Sequence, residues 1–384
     1  MIAVSMTLFL LSLALVVYTY LGYPLILRML GRSRNTGPVR ASTEPPSVSV
    51  IIAAYNEEEA VATRIANILS SDYPSEKVEI LIASDGSTDR TVERAQAVND
   101  PHVRVLDFRE NRGRATVHND AAAAAQNEIL IFSDAESRFT RDFLRNITAP
   151  FADPEVGCTT GELFFLNRES TSLGRSRGFY WTFEYLLRQY SSDAGMLAVA
   201  SGACMAVRRE IYRPLPSPTD DVDFITPIDV VTQGKYVVHC GDAVVEEFMF
   251  VQPRAEFRSR VRMTSRNWIG TWRRLRECSM QEYAWLWWCL VSHKFLRWLT
   301  PFFLMGVLIG SVLGWENVLL RSACLIQVAL YAWALAGLYF PALTPGSLGA
   351  PTGFCVANAG FAVGVLSALL GRARATYSRR EEQT

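Results

Sequence analysis

The sequence predicts an α/β domain of the doubly wound kind, with a mainly parallel sheet, set between apolar helices suited to a membrane. Three observations carry this reading. Short apolar strand formers alternate with helical stretches between Val48 and Phe132; continuous apolar segments lie at both ends of the chain; and a carboxylate pair, Asp134 and Glu136, directly follows the last of those strands.

Residues Ile2 to Leu30 carry no acid and no base before Arg28, and a run of about 20 such residues is enough for a spanning helix. It has no basic segment in front and exceeds the roughly 7 to 15 apolar residues of a cleaved signal. Arg28, Arg32, Arg34 and Arg40 follow it and place the next domain in the cytoplasm. Thr36 to Ser47, with Pro38, Pro45 and Pro46, reads as an extended linker. Strands are then expected at Val48–Ala54, Val78–Ala83, Val103–Leu106 and Ile129–Phe132. Helices are expected at Glu57–Leu69, Asp89–Val98 and Ala115–Ala125. Asp85-Gly86-Ser87 and Asn111-Arg112-Gly113-Arg114 supply the turns. No Gly-x-Gly-x-x-Gly follows the first strand and no Walker loop is present, which argues against a dinucleotide or P-loop site.

Beyond Arg141 the rhythm loosens: a strand at Cys158–Leu166, an aromatic helical stretch at Phe179–Tyr190, and a small-residue turn, Ser201-Gly202-Ala203-Cys204, leading into Met205–Arg208. Arg254–Arg276 spaces Phe257, Val261, Trp268, Trp272 and Leu275 among eight arginines, a basic amphipathic pattern suited to a membrane surface. Tyr283–Val291 continues this interfacial character, and apolar segments follow near Leu299–Leu313, Leu319–Phe340 and Phe354–Leu370. One helix before the domain and three after it would put the C-terminus outside. Arg372, Arg374, Arg379 and Arg380 prefer the inside, so one C-terminal segment is expected to be re-entrant or interfacial.

Lys+Arg and Asp+Glu both number 38, so no global field draws the chain to nucleic acid. The hydrophobic share of 49% and nine Trp agree with membrane segments. Seven cysteines without zinc-like spacing read as packing residues in a reducing compartment.

Two acidic motifs carry the candidate chemistry. Asp134-Ala-Glu136 leaves a strand at the carboxyl edge of the sheet, where open α/β folds bind ligands. Such a pair suits Mg²⁺ or Mn²⁺ carrying a diphosphate, or is simply a solvated loop end. In Thr219-Asp220-Asp221-Val222-Asp223, three carboxylates in four residues raise one another's proton affinity when shielded, or else cap a helix. His239 stands alone and reads as a packed residue.

Together the motifs resemble the family 2 glycosyltransferases of the GT-A fold, in particular the membrane-embedded bacterial branch with cellulose, hyaluronan and poly-N-acetylglucosamine synthases. Val48 to Glu57 is similar to that family's opening strand and nucleotide loop, Ile82 to Asp89 to its second nucleotide motif, and Asn111 to Asn119 to its Gly-Lys loop with Arg114 in place of Lys. The resemblance implies nucleotide-sugar binding by Ala54, Tyr55, Glu57, Asp85, Arg114 and Asp134, and Mg²⁺ or Mn²⁺ on Asp134 and Glu136. It implies catalysis by Asp221 with Asp220, and an acceptor site at Gly202, Arg266 and Trp268. Glu136 replaces a second Asp, and Arg266-Asn267-Trp268 inserts a residue into the Arg-Trp signature of processive synthases.

The implied organisation is a transmembrane helix over 1–30, a linker over 31–47 and a cytoplasmic GT-A domain, a doubly wound mixed sheet, over 48–250. Interfacial helices over 251–292, transmembrane helices over 293–371 and a polar tail over 372–384 complete it. The implied activity is inverting transfer of a sugar from a nucleotide sugar, with UDP the expected nucleotide, to a glycan or lipid-linked acceptor at the cell membrane. Membrane lipid is an expected partner and nucleic acid is not. A sugar-phosphate nucleotidylyltransferase and a non-catalytic membrane scaffold are the alternatives.

Overall fold

The computed structural model describes residues 2–33, 44–167, 172–248, 252–340 and 346–372. Most of the expected linker and all but Arg372 of the arginine tail lie outside them. The described residues form an eight-stranded sheet in the order β3-β2-β1-β4-β7-β6-β8-β5. Its first half is as expected. β1 (Val48–Ala54), β2 (Val78–Asp85), β3 (Val103–Phe108) and β4 (Ile129–Ser133) run parallel, with β1 between β2 and β4. Three of them read as near-continuous apolar runs because both faces are covered: β1, β2 and β4 are almost wholly buried.

The second half was only partly legible. β5 (Arg138–Phe139) and β6 (Val156–Phe165) are followed by β7 (Met205–Arg208), which lies antiparallel between β4 and β6, and β8 (Tyr236–Glu247) runs parallel to β6. β8 brings Glu246 opposite Arg138, so its far end reaches the turn after β4.

Ile2–Ser33 forms one helical rod, α1 (Ile2–Val17) and α2 (Tyr23–Ser33) joined by a wider turn at Tyr18–Gly22. α3 (Val61–Leu69), α4 (Thr91–Gln96), α5 (Arg114–Ala124) and α6 (Phe143–Thr148) flank the sheet. α7 (Ser172–Asp193) and α8 (Val222–Thr232) follow, then the basic segment as one uninterrupted helix, α9 (Pro253–Glu277). α10 (Ala284–Leu290) and α11 (Leu296–Leu313) are joined through Val291–Phe295 into a 30-residue apolar rod that starts earlier than expected. α12 (Val318–Tyr339) and α13 (Ala350–Leu369) complete the chain, and four of these helical units are long and apolar enough to cross a membrane.

The helices in the apolar layer approach closely through glycines. A Cβ on Gly310 of α11 would lie 2.8 Å from the Phe9 nitrogen of α1, and one on Gly306 would meet Ser12. Backbones meet where side chains are smallest, the usual means of helix association in lipid.

Candidate active site

Three strand ends converge on one edge of the sheet. Ala54 closes β1 and is buried, Tyr55 beside it is half-buried, and Asn56 turns the chain in the left-handed region at φ 57°. The side chain of Asn56 stabilises that turn by accepting from the Thr88 amide at 2.8 Å. The buried Glu57 donates its amide to Thr91 Oγ1 at 2.7 Å, so the first loop is laced to the loop after β2. Asp85, at the end of β2, accepts from the amides of Arg112 (2.7 Å) and Gly113 (3.1 Å), one on each oxygen. Burial raises its carboxyl above the ordinary range while those two amides pull it back. Each oxygen keeps a second lone pair for a ligand.

Arg114 opens α5 and ion-pairs with Asp134 just past β4. Asp134 is half-exposed and Glu136 exposed. A third carboxylate joins them. Glu247, at the end of β8, accepts from Ser137 Oγ and is pushed up to about 7 by burial and then by the Asp134 carboxylate. Beneath the turn Arg64 is buried over the Phe139 ring, 3.8 Å from its centroid, and donates to Ser133 Oγ at 2.8 Å. Among the described residues no three acidic, His or Cys side chains form a ready metal cage.

Asp221 sits at the N-terminus of α8 with extended backbone. Its carbonyl accepts the first helical amides, from Phe224 and Ile225 at 3.1 Å each, while its carboxylate makes no cap bond. That carboxylate instead meets Arg266 Nη2 at 2.8 Å. Arg266 is 3% exposed and donates from Nε to the Thr219 carbonyl at 3.0 Å, so α9 grips the whole acidic loop. This departs from the basic face toward a membrane surface read from the sequence, because Arg266 turns inward. Asp220 also departs from its expected place beside the reacting groups: its side chain is fully buried and paired with Arg273 at 3.1 Å. Its role there is to hold the loop to α9.

Asp223 lies behind Asp221 and is pushed up to about 7, by burial first and the Asp221 carboxylate next, with Arg114 opposing. Gly202 faces it: a Cβ there would stand 3.5 Å from the Asp223 carboxyl carbon. Trp268 is half-buried in an aromatic cluster, with Phe295 at 4.7 Å and Trp298 at 6.0 Å. His239 is packed, as expected, against Tyr185 and Gln189.

The family model described as Glycosyl transferase family 2 matches residues 49–215. These residues are a family 2 glycosyltransferase domain. A β-monoglucosyldiacylglycerol synthase of Synechocystis is 26% identical over 193 residues, 48% of this chain and 40% of that protein. A poly-β-1,6-N-acetyl-D-glucosamine synthase of Staphylococcus aureus is 29% identical over 182 residues, 46% of this chain and 42% of that protein. The chain thus matches about two fifths of the length of these relatives. A mannosyltransferase from Pyrobaculum calidifontis, solved with GDP-Man and Mn²⁺, superposes with a TM-score of 0.73 at 22% identity, over 95% of this chain and 99% of that one. The fold is GT-A, and the likeness covers the apolar helices as well as the sheet.

Within the glycosyltransferase domain, the expected donor residues Asp85, Arg114 and Asp134 stand on adjoining strand and helix ends. Sequence reasoning missed Glu247, Asp223, Arg64 and Arg273. Asp223 lay in the acidic run already singled out. Glu247 carried no local signal, because its place depends on the parallel pairing of β6 with β8.

Proposed function

We propose that the protein is an inverting, metal-dependent glycosyltransferase of the cell membrane. It would move a sugar from a nucleoside-diphosphate sugar, UDP being the expected nucleotide, to a lipid-linked or membrane-held glycan acceptor in envelope or exopolysaccharide synthesis. The observation that carries this is the placing of Arg114, which pairs with Asp134 on the donor side and feels the Asp221 and Asp223 carboxylates on the other. Donor and acceptor groups therefore bracket one small volume.

Asp134 and Glu136 offer the hard oxygens that Mg²⁺ or Mn²⁺ prefers, with further positions left to diphosphate oxygens and water. A metal bound there supplies charge for the leaving diphosphate. Arg114 is placed to stabilise the same developing charge. Asp85 and the loop it organises support the nucleotide. Asp221, oriented by Arg266, takes the proton of the acceptor hydroxyl as that oxygen bonds to the anomeric carbon and the bond to the diphosphate breaks. One displacement with attack opposite the leaving group inverts the centre.

The membrane setting has its own support. The apolar rods flanking the domain expose Leu10, Leu25, Ile309 and Leu335, and the basic α9 lies beside the acidic loop. The catalytic domain is then cytoplasmic, with the acceptor presented at the bilayer surface. The test is to incubate purified full-length protein with UDP-sugars and membrane lipid extract, with and without EDTA. The reading expects metal-dependent release of UDP and a product of opposite anomeric configuration; retention of configuration, or full activity in EDTA, overturns it.

A further inference from the structure

We propose that Arg64 is a positioning residue for the turn that carries Asp134 and Glu136, holding both ends of that turn so that its carboxylates are in place before a divalent cation binds. The proposal rests on the reading of Asp134 and Glu136 as metal ligands. Ser133 closes β4 just ahead of Asp134, and Phe139 closes β5 three residues after Glu136. Arg64 and Asn67, one turn apart on α3, reach both. Nη2 of Arg64 donates to Ser133 Oγ at 2.8 Å, and that hydroxyl donates in turn to the Ala203 carbonyl at 2.7 Å. Nη1 donates to Asn67 Oδ1 at 2.7 Å. Asn67 grips the backbone of Phe139 at two points, accepting from its amide at 2.8 Å and donating to its carbonyl at 3.0 Å. The Phe139 ring lies against the guanidinium, its centroid 3.8 Å from the central carbon.

Burying a guanidinium here needs a reason. Arg64 is 2% exposed, both of its hydrogen bonds go to neutral groups, and its Nε has no partner among the described residues. An apolar side chain of similar volume would fill the same space without the cost of taking a charge out of water. What the guanidinium adds is a planar fork that binds two acceptors at a fixed separation, and a charge that remains when the metal leaves. Burial works against that charge, while the nearby Asp134 and Glu247 carboxylates support it.

The turn needs both contributions. Asp134 and Glu136 are separated by one residue, and Glu247 reaches the same turn through Ser137 Oγ, so like charges repel one another there whenever no cation is bound. Mg²⁺ demands its oxygens at about 2.0 to 2.1 Å in a near-octahedral array. A turn free to open would have to be gathered again at each binding event, and the clamp on Ser133 and Phe139 prevents that. Taken alone, the Arg64 charge repels a divalent cation; as a clamp, Arg64 favours its binding. The two effects have opposite signs, so removing Arg64 shows which governs.

The test titrates the preformed Mn²⁺ complex of UDP, and separately uridine, into full-length protein in detergent by calorimetry. Uridine lacks the diphosphate and reports the Asp85 end of the site. Arg64→Met keeps the bulk without charge or fork, Arg64→Lys keeps the charge without the fork, and Ser133→Ala removes one acceptor of the fork. The expected result is affinity for the Mn²⁺ complex lowered about 10-fold or more in Arg64→Met and about threefold or more in the other two, as when groups that orient metal ligands are lost. Uridine affinity is expected to stay within about twofold throughout. Tighter binding of the Mn²⁺ complex by Arg64→Met overturns the proposal, because the charge then governs. Wild-type binding by both Arg64→Lys and Ser133→Ala also overturns it, and these two decide the matter if Arg64→Met does not fold. An equal fall in uridine affinity overturns it as well, since the whole site has then loosened. Asp134→Asn separates the clamp from the reading beneath it. Loss of the Mn²⁺ complex there, beside wild-type binding in the Arg64 and Ser133 variants, removes the clamp alone; unchanged binding in Asp134→Asn removes the metal assignment and the clamp with it.

Discussion

Arg266 reaches from the middle of α9 to the carboxylate of Asp221 at 2.8 Å while its Nε holds the Thr219 carbonyl at 3.0 Å. A single buried guanidinium thus fixes both the position and the orientation of the proposed base. Arg266→Lys keeps the charge but loses the fork that binds two acceptors at once. The expected outcome is a folded protein with transfer reduced about 10- to 100-fold and an unchanged KM for the nucleotide sugar, measured by UDP release. Arg266→Ala removes the bonds to the Asp221 carboxylate and the Thr219 carbonyl and is expected to cost about 1 to 3 kcal/mol of stability.

The two acidic motifs make separable claims. Asp134→Asn removes a proposed metal ligand and is expected to abolish metal-dependent donor binding in calorimetry. Asp221→Asn leaves the donor side intact, so UDP affinity is expected to hold while transfer falls at least 10²-fold, within the usual range for loss of a general base. Equal loss of donor affinity in both variants would sink the division of roles.

Stability is expected to fall as pH rises from about 4 to about 7 because of Asp223. Its folded pKa is raised to about 7 from 3.8, by burial first and Asp221 second. Between those values the native state holds more protons than the unfolded state, so raising pH favours unfolding until the folded value is passed. Thermal unfolding in detergent and EDTA at successive pH values measures this. Asp223→Asn is expected to flatten that part of the curve, and an unchanged slope would show that another group dominates.

The half of the site proposed to hold the donor was legible because its residues sit at the ends of β1, β2 and β4, strands buried on both faces and so written as near-continuous apolar runs. Asp85 and Asp134 follow such runs directly. The acceptor half was less so. Asp220 and Asp221 are adjacent and chemically identical, yet one is buried against Arg273 and the other, held by Arg266, keeps part of its carboxylate exposed. That choice is made by α9, more than forty residues later in the chain. Trp268 is read from the sequence as an acceptor platform, whereas its ring packs beside Phe295 and Trp298, which lie in a helix that hydropathy alone assigns to the membrane.

The loop after β2 gives the sharpest steric test. Gly86 has φ 71°, and a Cβ on it would lie 2.5 Å from the Asn111 nitrogen and 2.6 Å from the Glu110 carbonyl carbon. The left-handed backbone alone costs an alanine about 1 kcal/mol. The contact cannot be relieved by turning a side chain, because both neighbours are backbone, and Asp85 ties the adjoining amides of Arg112 and Gly113. Gly86→Ala therefore has to displace the segment that leads into Arg114. UDP affinity is expected to fall more than 10-fold in calorimetry, with the circular dichroism spectrum unchanged. Gly202→Ala is the control: its Cβ meets only ordinary contacts, 3.5 Å from the Asp223 carboxyl carbon, and UDP affinity is expected to stay within twofold. Tight UDP binding by Gly86→Ala would show that the loop joining Asp85 to Arg114 does not form the nucleotide site.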